Sequence, residues 1–310
     1  MFSLVFPGQG SQTVGMARDF YQNFDLVKKL FNQADEILGI KISQTILEGP
    51  KEDLDMTENT QPAIFLVGYS IYQVAIKEFN LNLNEATFAA GHSLGEYTAL
   101  SCLGSLKFSD GLKILKIRGK SMQNSVPAGE GGMIAVIGVT IEELDKIILD
   151  NTNNFNCYIA NDNTNGQVVV SGKTDQLKKF MDILKENKIK NIKLPVSAPF
   201  HCPLMNKASE IMNEEIKKLD IKMPKIKILS NVNAKQVKNV SDLKQLLISQ
   251  IKSRVRWREI INSIIHYNCN NFIEIGPGKV LSGMIKRLAK NINVNSFNSI
   301  EDMRNYKIND

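Results

Sequence analysis

Ala86-Thr87-Phe88-Ala89-Ala90-Gly91-His92-Ser93-Leu94-Gly95-Glu96-Tyr97-Thr98-Ala99-Leu100-Ser101-Cys102 reads as an apolar strand over 86–90, a tight turn, and a helix over 96–102. A serine between two glycines at a strand-to-helix junction is the pattern of a nucleophile elbow. The turn is so sharp that Ser93 falls in a strained backbone region, and only Gly at 91 and 95 lets the flanking backbone close in without Cβ clashes. Ser93 then stands exposed above the sheet. The helix that follows points its unpaired N–H groups and positive dipole end at the same spot, which favours an anionic intermediate there.

Working outward, Phe2–Phe6 reads as a first strand and Pro7–Gly15 as a glycine-rich loop. Helices then lead to the strand at 86, which is α/β alternation. The longest apolar stretch, Ala63–Ile76, is interrupted by Gly68, Ser70 and Gln73 and is too short to span a bilayer, so it predicts a buried helix and no membrane segment. From Met133 the pattern changes. Strands are expected over 133–137, 156–161, 167–171 and 191–195, with helices over 141–150 and 174–187. That order is βαββαβ, a ferredoxin-like unit. Pro127-Ala128-Gly129-Glu130-Gly131-Gly132 is a hinge into it. After Pro199 longer helices and strands resume, and Asn271–Ile275 runs into Gly276-Pro277-Gly278. The reading is one domain inserted in another: 1–128 and 198–310 outside, 129–197 inside.

With 310 residues, 43% hydrophobic and 23% charged, the chain has the composition of an ordinary globular protein. The net charge of +6 is spread over amphipathic helices such as 175–186, with no basic block interleaved with aromatics, which argues against nucleic-acid binding but suits an acidic partner or a phosphate-bearing substrate. Cys102, Cys157, Cys202 and Cys269 are far apart and form no CxxC pair, so no metal site or redox couple is expected. The opening Met1-Phe2-Ser3-Leu4-Val5-Phe6 lacks the basic lead and long apolar region of a signal peptide. The expected compartment is the cytoplasm, or an organelle stroma if a transit peptide has been removed.

A serine hydroxyl needs a base to take its proton near neutral pH, and His is the usual one. The chain has 3 His. His92 adjoins Ser93, so its side chain leaves the elbow in another direction. His266 lies in an amphipathic helix over 258–268, where packing or solvent contact is the default. Elimination leaves His201, in the proline-bounded loop 195–203, whose prolines restrict the chain that holds it. No acidic residue presents itself as the third member of a triad, which leaves a backbone carbonyl to orient the ring. A second oxyanion donor should come from a loop above a neighbouring strand. Pro7-Gly8-Gln9-Gly10-Ser11-Gln12 fits; a dinucleotide phosphate loop would need Gly where Thr13 stands. The backbone N–H groups of Gln9 and Leu94 are the candidate pair. Arg is scarce, and Arg118 sits in an otherwise apolar helix beside the face formed by Leu112, Leu115 and Gly119. A buried guanidinium needs an anion, and its planar fork matches a carboxylate. A surface Arg at a helix end is the competing reading, and spacing leaves the two open.

Phe6-Pro7-Gly8-Gln9-Gly10-Ser11-Gln12, Gly91-His92-Ser93-Leu94-Gly95-Glu96-Tyr97, the isolated Arg118, Phe200-His201 and Glu274-Ile275-Gly276-Pro277-Gly278 stand in the order seen in malonyl-CoA:acyl carrier protein transacylases. The chain resembles that family from Phe6 to about Ile285. The resemblance implies an α/β-hydrolase-like large domain carrying a ferredoxin-like insert, with the active site between them. It implies Ser93 as nucleophile, His201 as base, Gln9 and Leu94 as backbone oxyanion donors, and Arg118 as partner of the malonyl carboxylate. It further implies that the backbone carbonyl of Gln250 holds the His201 ring, so the Gln250 side chain is expected to matter little. Asn161 and Asn163 match positions lining the family's site, and His92 and Phe200 complete the candidate substrate contacts. Some members have Ser where Phe200 stands here, and its bulk should limit branching at the acyl α-carbon.

The implied chemistry is a double displacement through a malonyl-serine ester, from malonyl-CoA to the phosphopantetheine thiol of an acidic acyl carrier protein, without metal or cofactor, by a monomer supplying fatty acid biosynthesis. Arg254, Arg256 and Arg258, alternating with Val255 and Trp257, read either as a docking patch for that carrier or as a solvated edge. Two other functions compete. A serine hydrolase such as a thioesterase would place its His late in the chain, whereas more than a hundred residues follow His201. A silent carrier-docking module would not need Ser93 and His201 intact.

Overall fold

The computed structural model describes residues 1–196 and 198–306; Ser197, in the loop before His201, and residues 307–310, at the end of the expected outer domain, lie outside the described residues. In chain order the strands are β1 (Phe2–Phe6), β2 (Ala86–Gly91), β3 (Gly131–Ile137), β4 (Cys157–Thr164), β5 (Gln167–Lys173), β6 (Lys190–Lys193), β7 (Lys227–Ile228), β8 (Asn271–Ile275) and β9 (Asn293–Phe297). They form two sheets. One is five-stranded in the order β7-β2-β1-β8-β9 with every pairing parallel. The other is four-stranded in the order β4-β5-β3-β6 with every pairing antiparallel. The architecture is α/β with sheets of both kinds. Among the described residues no helix is long and apolar enough to cross a membrane.

β1 is buried along its whole length, as expected of a nearly continuous apolar strand covered on both faces. The apolar stretch 63–76 forms the C-terminal two-thirds of the helix Thr57–Lys77, which packs against the helix Phe108–Gln123. Glycines set how closely those two helices approach. A Cβ on Gly119 would lie 2.4 Å from the carbonyl oxygen of Thr57, and one on Gly111 would lie 2.4 Å from the Phe65 ring. This contact turns Arg118 inward, where it has no exposed surface, and so excludes the reading of a surface Arg at a helix end.

All strands of the antiparallel sheet fall between Gly131 and Lys193, with the helices Ile141–Asp150 and Thr174–Glu186 between them in the expected βαββαβ order. β4 runs to Thr164, past the expected end at Asn161. Irregularities at Ile159/Asn161 and Asp162/Thr164 absorb its extra length before the Asn165-Gly166 turn. Along this segment Asp162 points away from the cleft that Asn161 and Asn163 line.

The segment 254–258, which the sequence left open between a docking patch and a solvated edge, runs along the edge of β4 and continues to the loop after β7. Val255 adds to the edge of β4: its N–H donates to Ala160 O (2.8 Å) and its carbonyl accepts from Asp162 N–H (2.9 Å). Arg258 Nε donates to both carboxylate oxygens of the fully buried Asp162 (2.9 and 3.1 Å). Arg256 pairs with Glu259 (2.9 Å), and Arg254 approaches Asp145 (3.9 Å) and Glu259 (3.8 Å). The arginines are committed to carboxylates of this chain, and Trp257 between them is wholly buried.

Because Gly119 faces backbone rather than a yielding side chain, Gly119→Ala should destabilise the fold by about 1–3 kcal/mol. Gly283→Ala, where nothing lies within 4 Å of the added Cβ, should be neutral or stabilise by up to about 1 kcal/mol. Denaturant unfolding of the two variants checks the contrast.

Candidate active site

β1 and β2 pair in register with Phe6 opposite Gly91, so the loop after β1 and the turn after β2 leave the sheet side by side at its carboxyl end, where open parallel sheets hold their ligands. A Cβ on Gly91 would lie 1.9 Å from the carbonyl carbon of Gly95, and a Cβ on Gly95 would lie 2.2 Å from the carbonyl oxygen of Phe6. Neither position admits a side chain. Ser93 has φ 54°, the left-handed conformation expected of an elbow, at a cost of about 1–3 kcal/mol.

Ser93 Oγ lies 2.8 Å from His201 Nε2, and His201 Nδ1 lies 2.9 Å from the carbonyl oxygen of Gln250. A carbonyl can only accept, so Nδ1 carries the proton and Nε2 is left to accept from the serine. His201 is itself at φ 58°, a second strained residue facing the first. Burial, the charge on Arg118 and the neighbouring His92 lower the His201 pKa to about 3, so the ring is a neutral base at physiological pH.

Arg118 is fully buried, and burial lowers its pKa. Its Nη1 donates to Gln61 Oε1 (2.8 Å), and its Nη2 donates to Gln250 Oε1 (2.7 Å) and Ser93 Oγ (3.1 Å). The Tyr97 ring lies 5.6 Å from the guanidinium carbon. Among the described residues no carboxylate forms an ion pair with Arg118, and its Nε has no hydrogen-bond partner.

The Gln250 side chain makes contacts of its own besides the carbonyl bond to His201. It is fully buried; besides accepting from Arg118, its Nε2 donates to Glu96 Oε2 (2.6 Å) and to the carbonyl oxygen of Ser93 (3.0 Å). Glu96 is fully buried too, and burial pushes its carboxyl up to about 7. It does not touch His201, which leaves the Gln250 carbonyl as the partner orienting that ring.

A cavity of about 380 Å³ opens over Ser93. Gln9, His92, Leu94, Arg118, Asn161, Asn163, Phe200 and His201 all line it, while Gln250 sits behind them. His92 Nε2 donates to Asn163 Oδ1 (3.0 Å) across the cleft, and the ring lies edge-on to Trp257. Phe200 is held through its carbonyl by Ser171 Oγ (2.5 Å). The backbone N–H groups of Gln9 and Leu94 have no acceptor among the described residues, as donors reserved for a ligand would. Asn231, Glu96, Gln61 and Tyr97 complete the site and were not singled out from the sequence. Asn231 lies 138 residues from Ser93, whose N–H its Oδ1 accepts (2.7 Å), and no spacing rule connects them.

A family model described as an acyl transferase domain matches residues 3–308. The malonyl CoA-acyl carrier protein transacylase of Bacillus subtilis is 40% identical over 292 residues, which is 94% of this chain and 91% of that one. The protein of the same name from Haemophilus influenzae is 37% identical, over 97% and 98% of the two chains. An acyl carrier protein S-malonyltransferase from Vibrio cholerae superposes with a TM-score of 0.94 at 36% identity, over 99% of each chain. A malonyl-transacylase solved with its type II polyketide synthase acyl-carrier protein does so with a TM-score of 0.93 at 32% identity, over 98% of this chain and 97% of that one.

Two outcomes follow from the site geometry. Acylation of Ser93 by an activated ester should show no acid limb near the ordinary imidazole pKa, staying level down to about pH 5; a midpoint between about 6 and 7 in the rate profile would mean that the ring is not held neutral. Gln250→Ala should cost about 2–3 kcal/mol in denaturant unfolding, because it strands a buried guanidinium donor and a buried carboxyl together.

Proposed function

The chain belongs to the acyl transferase family, among the malonyl CoA-acyl carrier protein transacylases, and from that premise we propose how its residues divide the work. The protein is an acyltransferase that moves a malonyl group from malonyl-CoA to acyl carrier protein for fatty acid synthesis. Ser93 Oγ attacks the thioester carbonyl while His201 Nε2 takes its proton, and the oxyanion is received by the N–H groups of Gln9 and Leu94. The C–S bond breaks, and His201 returns the proton to the departing coenzyme A thiol. In the second half His201 deprotonates the phosphopantetheine thiol, which attacks the malonyl-serine ester, and the proton passes back to Ser93. The architecture reads as an α/β-hydrolase-like domain, 1–128 and 198–310, carrying a ferredoxin-like insert, 129–197. We read the protein further as a soluble monomer of the cytoplasm or an organelle stroma, working on an acidic carrier protein.

The observation that carries the choice of acyl group is Arg118. A guanidinium without exposed surface or a carboxylate partner, 3.1 Å from the nucleophile, favours a substrate that brings its own carboxylate, and the unpaired Nε offers a second donor to it. His92 and Asn163 close the opposite wall. Phe200 fills the space beside His201, which favours an unbranched α-carbon and disfavours methylmalonyl-CoA.

Intact-mass measurement should find a malonyl adduct on the wild-type protein and none on Ser93→Ala. Removing one partner of a buried charge pair costs about 2–5 kcal/mol, so Arg118→Ala should lower kcat/KM for malonyl-CoA by roughly 30-fold to several thousand-fold. It should leave acetyl-CoA unchanged or improved, since an uncharged acyl group gains nothing from the cation. A malonyl-to-acetyl ratio that survives the substitution would place malonate recognition elsewhere.

A further inference from the structure

Asn231 follows the short strand β7 and has no exposed surface. Its backbone and side-chain polar groups are all engaged. Oδ1 accepts the Ser93 N–H (2.7 Å), Nδ2 donates to the Gly91 carbonyl (2.7 Å), the backbone N–H donates to Glu96 Oε2 (3.4 Å), and the backbone carbonyl accepts from Arg256 N–H (3.0 Å). The first two bonds grip the elbow on both sides of its turn. The Ser93 N–H has no backbone acceptor among the described residues, so this amide is what satisfies it.

We propose that Asn231 is a positioning residue for the nucleophile: its amide clamps the turn between Gly91 and Ser93, holds Ser93 in its left-handed conformation, and occupies the Ser93 N–H so that the Leu94 N–H is the turn's free donor. This rests on the reading of Ser93 as the acylated residue. Accepting at one atom while donating at the other, at this length, is a property of a primary amide. An ionised carboxylate of the same shape would meet the Gly91 carbonyl oxygen with another acceptor, whereas a protonated carboxyl would restore the donor. Asn231→Asp therefore makes the clamp conditional on pH. The ionisable groups around it are Glu96 on the elbow helix, His92 in the turn, Arg118 on the helix Phe108–Gln123, His201, and Arg256 with its partner Glu259 on the segment bonded to the Asn231 carbonyl. Burial disfavours the ionised form of the introduced carboxyl, while the Ser93 N–H and the Arg118 charge favour it, and lowering the pH moves it toward the neutral form that restores the donor.

The experiment follows coenzyme A release from malonyl-CoA by wild type, Asn231→Asp and Asn231→Ala between about pH 5.5 and 8.5, with thermal melts of all three. A displaced reacting atom costs on the order of 10²-fold. At about pH 8.5 both variants should lose kcat by on the order of 10²-fold, with KM within about threefold of wild type. Towards about pH 5.5 Asn231→Asp should regain on the order of tenfold relative to wild type, and Asn231→Ala should regain nothing. The proposal is overturned if kcat is unchanged, if only KM moves, or if the Asp variant's loss is the same at every pH. It is overturned equally if both variants fail to fold, since the amide would then hold the loop after β7 rather than aim the serine. Failure of the Ser93 reading would show separately, as a wild-type protein that forms no malonyl-serine adduct.

Discussion

Burying Arg118 strips a guanidinium of water, and the amide oxygens of Gln61 and Gln250 replace only part of that hydration. The site is arranged around this incomplete compensation. Gln250 accepts from the cation at one end of its amide and donates to Glu96 and to the Ser93 carbonyl at the other, while its backbone carbonyl sets the tautomer of His201. One residue therefore couples the charge, the elbow and the base. The close helix contact at Gly111 and Gly119 puts the guanidinium where that coupling is possible.

The features legible in the sequence were those whose cause is local. The elbow is visible because Gly91 and Gly95 are demanded by backbone clashes within a few residues. The βαββαβ unit is visible because side-chain periodicity changes with each element. His201 is legible because only 3 His compete for the role. Asn231, Glu96 and the Gln250 amide were not legible, because their roles consist of contacts between residues 132 to 157 positions apart. Arg254, Arg256 and Arg258 show the same limit from the other side. Their alternation with Val255 and Trp257 does mark an extended edge, but the carboxylate that Arg258 meets comes from β4, and local pattern carries no information about a partner 96 positions away.

That ion pair has a consequence for the cleft. Asn161 and Asn163, which line the cavity, flank Asp162 on β4, and Asp162 is anchored by Arg258 and by its own N–H bond to the Val255 carbonyl, with the Val255 N–H holding Ala160 two residues earlier. Trp257, next to Arg258, touches the His92 ring, which reaches back across the cleft to Asn163. The wall opposite the nucleophile is thus held at its base and at its rim. A pocket fixed from both ends presents its polar groups without the entropy cost of ordering them on each turnover.

The same cation that would select the substrate also governs the base. The charge of Arg118 is one of the causes holding His201 far below an ordinary imidazole, second to burial. No carboxylate of this chain among the described residues forms an ion pair with the guanidinium to offset that penalty. A malonyl carboxylate seated on Arg118 would cancel much of that field at the imidazole, so the ring would become more basic as its substrate arrives. An acetyl group would leave the penalty in place. On the proposed roles of Arg118 and His201, discrimination between the two would lie partly in binding and partly in the ability of His201 to accept the serine proton, a transition-state effect that raises kcat rather than only lowering KM.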